Sequence, residues 1–222
     1  MASGLGIYGA GGAGREIAWL ARVCLGPNVH IRFIVDNPAT QASTINGLDV
    51  VTFDQFLAST PNVPVTIAIG DAASRERISE TCKAAGLRFQ TLIHPGVILS
   101  PFVSVGEGSI ICEGCVLTTN IEIGRHVYVN IGCTISHDCI LDDFATLSPG
   151  VHLAGWVSAG RRAFFGTGAS AMNGSRSRRL AVGDNAIVGA GACVIDDVAP
   201  GETVIGVPAR PHAPRFSSDR HD

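Results

Sequence analysis

Aliphatic or other apolar residues recur at every sixth position through the second half of the chain. The run begins at Leu99, continues without a miss to Ala171, and resumes at Val182 after one interruption. A second column of mostly small apolar residues lies two positions earlier, from Val103 to Ala169. Because alternate side chains of a strand share a face, each hexad predicts one short strand with two inward positions. The pattern therefore predicts a prism of short parallel strands, three hexads to a coil.

A helical interpretation of the same columns fails. Six residues are about 1.7 turns of an α-helix, so a six-residue period would spread the apolar positions around the helix axis.

The one interruption of the repeat lies within 174–180, where five extra residues are inserted and three arginines occur. This segment is either a solvated surface loop or a set of cations that meets a phosphate-bearing ligand.

The first 95 residues have a different pattern, in which strands and helices alternate. Predicted strands cover 5–9, 31–35 and 65–69, with a possible fourth at 88–92, and predicted helices cover 15–25 and 72–85. We therefore expect an α/β domain of half-Rossmann (βαβ) type over 1–95, a β-helix domain over 96–211 and a flexible tail over 212–222.

A glycine-rich turn joins the first strand to the first helix. Residues 9–14 have the spacing G-x-G-x-x-G, where bare backbone and a helix N-terminus suit a phosphate. The second strand ends at Asp36, as in domains that bind NAD. About 95 residues are only half of the usual double unit, and no catalytic domain of dehydrogenase type follows. A nucleotide that is part of a substrate fits better than a redox cofactor.

Composition narrows the classes of partner. A formal charge of −3 gives no reason to expect nucleic acid or an anionic membrane as a partner, and no run of 18 apolar residues lacks a break. The start of the chain lacks a secretory pattern, which predicts a cytoplasmic protein. Seven scattered cysteines are then expected to be reduced thiols. In the C-x-x-C pair only Cys115 points inward, so it is interpreted as a small buried hydrophobe, stacked on Cys133, rather than a metal or redox site.

One histidine of the prism has an acidic neighbour. His137 follows an inward position by two residues, so it projects from a corner, and Asp138 comes next. A carboxylate can hold the imidazole tautomer and raise its basicity, which suits the general base of acyl transfer; the alternative is a solvated side chain. The gaps to His126 and His152 do not match an 18-residue coil, so a three-histidine zinc site is not expected.

Several segments resemble a known family. They are Ile7 to Gly12, Ile93-His94-Pro95, Asn130 to Cys139, Ser148 to Val151 with Ala154-Gly155, Gly189 to Ala192, and Gly206 to Arg210. In these the chain is similar to the hexapeptide-repeat sugar acyltransferases, namely the nucleotide-sugar N-acetyltransferases of the bacillosamine and perosamine type and the sialic-acid O-acetyltransferase-like proteins. The resemblance implies a small βαβ domain followed by a left-handed parallel β-helix.

The resemblance also implies site residues. His137 corresponds to the general base, and Asp138 stands where the family commonly has glutamate. The nucleotide sugar is expected to lie against Gly11, Gly12, Asp36 and Gly70. Acetyl-CoA, the co-substrate, is expected near Asn130, Gly155, Gly168 and Ala190, between adjacent subunits of a homotrimer.

One position departs from the family pattern. The family's glycine turn usually carries a histidine near the sugar, and here that position is Ala13. The missing side chain favours a different acceptor, either another amino sugar or a hydroxyl. The resemblance as a whole nevertheless makes the leading hypothesis an acetyl-CoA-dependent N-acetyltransferase that acts on a nucleotide-linked 4-amino sugar. The alternatives are an O-acetyltransferase of a sugar or sialic acid, and a non-catalytic trimeric protein that binds a nucleotide sugar.

Overall fold

The computed structural model describes residues 4–37, 43–60 and 62–212. The first part is a five-stranded sheet with three helices. Its elements are β1 (Gly4–Tyr8), α1 (Gly12–Leu25), β2 (His30–Val35), β3 (Thr44–Ile45), β4 (Leu48–Thr52), α2 (Phe53–Ser59), β5 (Val65–Ile67) and α3 (Ala72–Ala84). The strand order is β3-β4-β2-β1-β5, and only β3 and β4 are antiparallel. The predicted βαβ unit is thus β1, α1 and β2.

Three elements of the N-terminal part, the strands β3 and β4 and the helix α2, have no counterpart in the prediction. The start of α2 nevertheless carries a sequence signal. The Thr52 side chain accepts a hydrogen bond from the Gln55 backbone N–H, and the Gln55 side chain accepts one from the Thr52 N–H. This reciprocal pair is a capping box, which satisfies two backbone donors at a helix start.

The start of the first helix and the possible fourth strand differ from the prediction. The first helix begins at Gly12 rather than at residue 15, because the glycine turn itself supplies the first helical turn. The possible strand at 88–92 does not form; Phe89 makes one isolated bridge to Val65, and the chain then leaves this sheet for the coils.

The rest of the described chain is a left-handed parallel β-helix with three flat faces. Face 1 holds β6 (Leu92–Ile93), β9 (Ile110–Ile111), β12 (Tyr128–Val129), β15 (Thr146–Leu147), β18 (Phe164–Phe165), β21 (Ile187–Val188), β23 (Thr203–Ile205) and the antiparallel β24 (Arg210–Pro211). Face 2 holds β7 (Ile98–Leu99), β10 (Val116–Leu117), β13 (Thr134–Ile135), β16 (His152–Leu153), β19 (Ser170–Ala171) and β22 (Cys193–Val194). Face 3 holds β8 (Val103–Val105), β11 (Ile121–Ile123), β14 (Ile140–Leu141), β17 (Val157–Ala159) and β20 (Leu180–Val182).

The turns between faces form three edges. Edge 1–2 contains turns 130–133, 148–151, 166–169 and 189–192; edge 2–3 contains 118–120, 136–139, 154–156, 172–179 and 195–197; edge 3–1 contains 124–127, 142–145, 160–163 and 183–186. Paired strands lie 18 residues apart, as Leu117 and Ile135 do. The pairing of Val157 with Leu180 spans five residues more, which confirms the predicted insertion on edge 2–3.

The two inward columns form the core of the β-helix. Cys115, Cys133 and most other column residues are fully buried, which confirms the predicted orientation. Leu99 is an exception, with 37% of its surface exposed, because it lies in the first coil and no earlier coil covers it.

The N-terminal part packs on face 1. The outward side chains of Leu92, Ile110 and Tyr128 join one buried apolar cluster with residues of α1 and β1. Cys112 belongs to the same cluster, and burial raises the pKa of its thiol to about 12. It is therefore a protonated, buried side chain, and Cys115 is likewise fully buried, inside the prism.

Two boundaries of the predicted domains stay predictions. β6 lies before residue 95 and already pairs with β9 of the β-helix. In the predicted tail, His212 donates its backbone N–H to Thr203, and 213–222 lie outside the described residues. Among the helices of the described chain, none has the length and apolar character needed to span a membrane.

Candidate active site

His137 and Asp138 form a hydrogen-bonded pair on edge 2–3. His137 Nδ1 lies 2.8 Å from Asp138 Oδ2, and about half of the histidine side chain is exposed. The backbone of Asp138 is left-handed, with φ of 60°, a conformation that aspartate tolerates better than most residues. Because the carboxylate engages Nδ1, Nε2 is the nitrogen left to exchange a proton with a ligand.

Gly155 lies directly beside the histidine ring, one coil further on. A Cβ atom at this position would lie 2.4 Å from His137 Cε1 and 2.5 Å from Nε2, so only glycine leaves room for the ring. The Gly155 N–H has no acceptor among the described residues. A free amide beside a general base can donate to the oxyanion of an acyl-transfer intermediate.

The arginine-rich insertion reaches the same edge. Arg179 donates from Nη1 to the Asp138 carbonyl, and its Cζ lies 5.0 Å from the centre of the Trp156 ring. The Trp156 ring in turn meets the His137 ring edge-on, with centroids 6.4 Å apart. The insertion therefore contributes a cation to the surroundings of the histidine pair.

The four residues expected near acetyl-CoA are divided between two edges. Gly155 shares edge 2–3 with His137, whereas Asn130, Gly168 and Ala190 lie on edge 1–2. Face 2 separates these two edges within one chain. The chain alone therefore brings only Gly155 to the histidine.

A cavity of about 380 Å³ opens at the carboxyl ends of β1, β2 and β5. The four residues expected to contact the nucleotide all line it, and so does Ala13; they are Gly11, Gly12, Asp36 and Gly70. Cβ atoms at Gly11 and Gly12 would meet nothing within 4 Å, so packing does not require glycine there. Gly14 differs, because its Cβ would lie 2.1 Å from the Gly9 carbonyl oxygen. The open glycines thus leave backbone accessible at the N-terminus of α1, where an anion is favoured.

The acidic residue of this cavity is held by a tyrosine. The Tyr8 hydroxyl donates to Asp36 Oδ1. Burial, with the hydrogen bond to Asp36 as a second cause, keeps the pKa of Tyr8 above its ordinary value. The hydroxyl stays protonated at neutral pH and fixes one oxygen of Asp36, which leaves the other oxygen free to accept from a ligand.

Comparisons with known proteins identify the family of this chain. Residues 4–82 match the PglD N-terminal domain. The chain is 34% identical over 212 residues to GDP-perosamine N-acetyltransferase from Escherichia coli O157:H7, covering 92% of this chain and 94% of that protein. The chain belongs to this family of sugar N-acetyltransferases.

Two solved structures of similar proteins contain ligands. The acetyltransferase domain of PglB from Neisseria gonorrhoeae, in complex with acetyl coenzyme A, superposes with a TM-score of 0.86 at 34% identity, over 96% of this chain and 100% of that one. PerB from Caulobacter crescentus, in complex with CoA and GDP-perosamine, superposes with a TM-score of 0.85 at 30% identity, over 95% and 97%. The protein is thus an acyltransferase.

Two other histidines of the β-helix, His126 and His152, are separated from His137. His126 is buried on edge 3–1, and His152 lies on face 2 with its Nδ1 2.8 Å from Thr134 Oγ1. Within the described residues, no group of three or more potential ligands forms a metal site.

Sequence reasoning did not select Tyr8, Trp156 or Arg179. Tyr8 and Trp156 carry no motif, since their relevance depends on which residues surround them. Arg179 was noted only as one cation of the insertion. The coil period gave a usable signal for Trp156, because it lies 18 residues after Asp138 and hence beside it on the next coil.

Proposed function

We propose that this acetyltransferase moves the acetyl group of acetyl-CoA to the amine of a nucleotide-linked 4-amino sugar. The observation that carries the proposal is the His137–Asp138 pair, with the free amide of Gly155 beside it. The cavity lined by Gly11, Gly12 and Asp36 is the proposed site of the nucleotide. The similarity to GDP-perosamine N-acetyltransferase supports this class of acceptor.

In the proposed reaction, the amine nitrogen attacks the thioester carbon and His137 Nε2 takes the proton that the nitrogen loses. The negative charge on the carbonyl oxygen is stabilised by the Gly155 N–H. When the C–S bond breaks, the imidazolium returns the proton to the CoA thiolate. Asp138 keeps Nδ1 protonated before the transfer and stabilises the imidazolium during it.

A homotrimer is the assembly that we propose for this reaction. The expected acetyl-CoA residues lie on edges 1–2 and 2–3, and the nucleotide cavity lies beyond edge 3–1, where Gly70 also borders Arg162 and Asn185. A ligand that meets two edges must lie between two copies of the β-helix, and a cyclic trimer satisfies this at three equivalent sites.

A cytoplasmic location stays a prediction, with which seven unpaired cysteines agree.

The test is turnover with acetyl-CoA against a panel of UDP-, dTDP- and GDP-linked 4-amino sugars. We expect one of them to be acetylated, and His137→Ala to lower kcat by about 10² to 10⁴, the usual loss for a missing general base. Loss of thioester absorbance, with mass spectrometry of the sugar, is the suitable measurement, because the chain's own thiols would consume a thiol reagent.

Near-normal turnover in His137→Ala would remove the histidine from this role. Acetyl-CoA binding without acetylation of any amino sugar would favour the second candidate, transfer to a hydroxyl. Ala13 is the observation behind that candidate, since the family's histidine near the sugar is missing from the cavity.

A further inference from the structure

Arg75 is the largest of the fully buried side chains in the described chain, with 2% of its surface exposed. It lies in the first turns of α3, and its guanidinium donates five hydrogen bonds. The acceptors are the carbonyls of Ile69 (2.8 Å) and Gly70 (3.1 Å), the carbonyls of His126 (3.0 Å) and Phe144 (2.6 Å), and Thr146 Oγ1 (2.8 Å). All five are neutral oxygen atoms.

These acceptors belong to two separate parts of the molecule. Ile69 and Gly70 form the loop after β5 and line the nucleotide cavity. His126 and Phe144 belong to successive turns of edge 3–1, and Thr146 begins β15. Arg75 Nη1 donates hydrogen bonds to the cavity loop, while Arg75 Nε and Nη2 donate hydrogen bonds to the coils. One rigid, planar group therefore sets the distance between the cavity wall and the β-helix.

A buried cation is a costly way to join two surfaces. Burial lowers the pKa of Arg75 to about 10, so the guanidinium is still protonated at neutral pH. Apolar side chains would join the surfaces with a smaller desolvation cost, but they would not fix an orientation. The neighbouring Glu76 forms ion pairs with Arg161 and Arg162. These pairs already join α3 to edge 3–1 at the partly exposed rim of the same junction.

We propose that Arg75 is a positioning residue that fixes the nucleotide cavity relative to the β-helix, and so aligns the acceptor amine with the thioester. This inference rests on the proposed function. The nucleotide end of the acceptor is held by the N-terminal part, whereas the acetyl group is held on a β-helix edge. In the proposed trimer the cavity of one copy faces the histidine pair of a neighbouring copy, so the coils that hold the cavity through Arg75 also carry its alignment across the contact between the two copies. A displacement of about 1 Å between reacting groups can lower a rate by about 10²-fold.

The experiment compares Arg75→Lys, Arg75→Met and Thr146→Val with the wild-type chain, using the best acceptor of the nucleotide-sugar panel. A lysine keeps the charge but cannot reach both sets of oxygens. We expect Arg75→Lys to lower kcat/KM for the nucleotide sugar by about 10- to 100-fold, through both kcat and KM, with KM for acetyl-CoA changed less than about twofold. Thr146→Val, which removes one acceptor at nearly constant volume, should move the same parameters in the same direction by a smaller factor.

Arg125→Met is the matched control, because this arginine lies on the same edge and, among the residues that the structure describes, its side chain donates hydrogen bonds only to Asp143. It should leave both KM values unchanged. A merely structural role for Arg75 would lower the melting temperature and the active fraction while both KM values stay at the wild-type level. That result overturns the inference. If neither Arg75 variant folds, the same result in Thr146→Val overturns it. A wild-type chain that acetylates no nucleotide sugar overturns the proposed function, and the inference with it.

Discussion

At the scale of single residues, the candidate site depends on small side chains as much as on reactive ones. His137 and Asp138 carry the proposed proton transfer, but the ring has its place only because Gly155 lacks a Cβ atom. The open space at Gly11 and Gly12 leaves room in the proposed nucleotide cavity in the same way.

Substitution of Gly155 tests this steric dependence. In Gly155→Ala the added methyl group must displace the His137 ring, so we expect kcat to fall by about 10-fold or more with little change in melting temperature. The φ angle of Gly155 lies outside the left-handed range, so alanine adds no backbone strain. Steady-state kinetics and thermal melting check this prediction.

A double-mutant cycle provides the control. If Gly155→Ala acts through the ring, it should have almost no further effect in a His137→Ala background. An equal loss in both backgrounds would mean that the alanine disturbs acetyl-CoA or the oxyanion contact instead.

At the scale of elements, the junction between α3 and edge 3–1 contains a buried histidine. His126 lies between the rings of Phe89 and Phe144, with centroids 4.5 and 5.1 Å away. Burial, followed by the positive charges of Arg75 and Arg125, lowers its pKa to about 4. The folded chain therefore holds this imidazole neutral at neutral pH.

This depressed pKa predicts a loss of stability in acid. Above the unfolded pKa of about 6.5 both states are neutral and the contribution is fully present; below it the unfolded state binds a proton first. The free energy of unfolding should fall between about pH 6.5 and pH 4, by at most about 3 kcal/mol. Denaturant unfolding across this range measures the slope.

His126→Asn is the comparison variant, because asparagine tolerates the left-handed backbone of this position, where φ is 54°. The variant should lose the part of the pH slope that His126 contributes. An unchanged slope would assign the acid sensitivity to other groups.

At the scale of the whole molecule, one chain distributes its proposed functional groups over three edges. The histidine pair, the remaining acetyl-CoA residues and the nucleotide cavity do not meet within one copy. A complete site then needs a neighbouring chain, which is the physical reason for proposing a trimer.

Mixed assemblies test whether a site spans two chains. One parent carries His137→Ala, and the other carries Gly11→Trp, which places a large side chain in the cavity at a position where the added Cβ meets nothing within 4 Å. If each parent is inactive alone, an equal mixture reassembled from unfolded chains should regain about one quarter of wild-type activity, the share of sites with two intact halves. Light scattering should give the mass of three chains. A mixture without activity would mean that both halves of the site lie on one chain.

The sequence by itself determined the β-helix, because residues with a six-residue apolar period are buried when short strands stack in coils and each coil packs its apolar columns against the next. It also determined the βαβ unit, the insertion and the histidine pair, since these depend on local spacing. It did not reveal β3, β4 and α2, whose signals are short.

Only the tertiary structure decided which distant residues meet. Arg75 is unremarkable in the sequence, and its five acceptors are supplied by segments as far as 71 residues away. The contact of Arg179 with Asp138, and the division of the expected acetyl-CoA residues between two edges, likewise depend on how coils stack. Periodicity fixes which face a side chain takes, whereas contacts between separate parts of the chain follow from packing that no local pattern encodes.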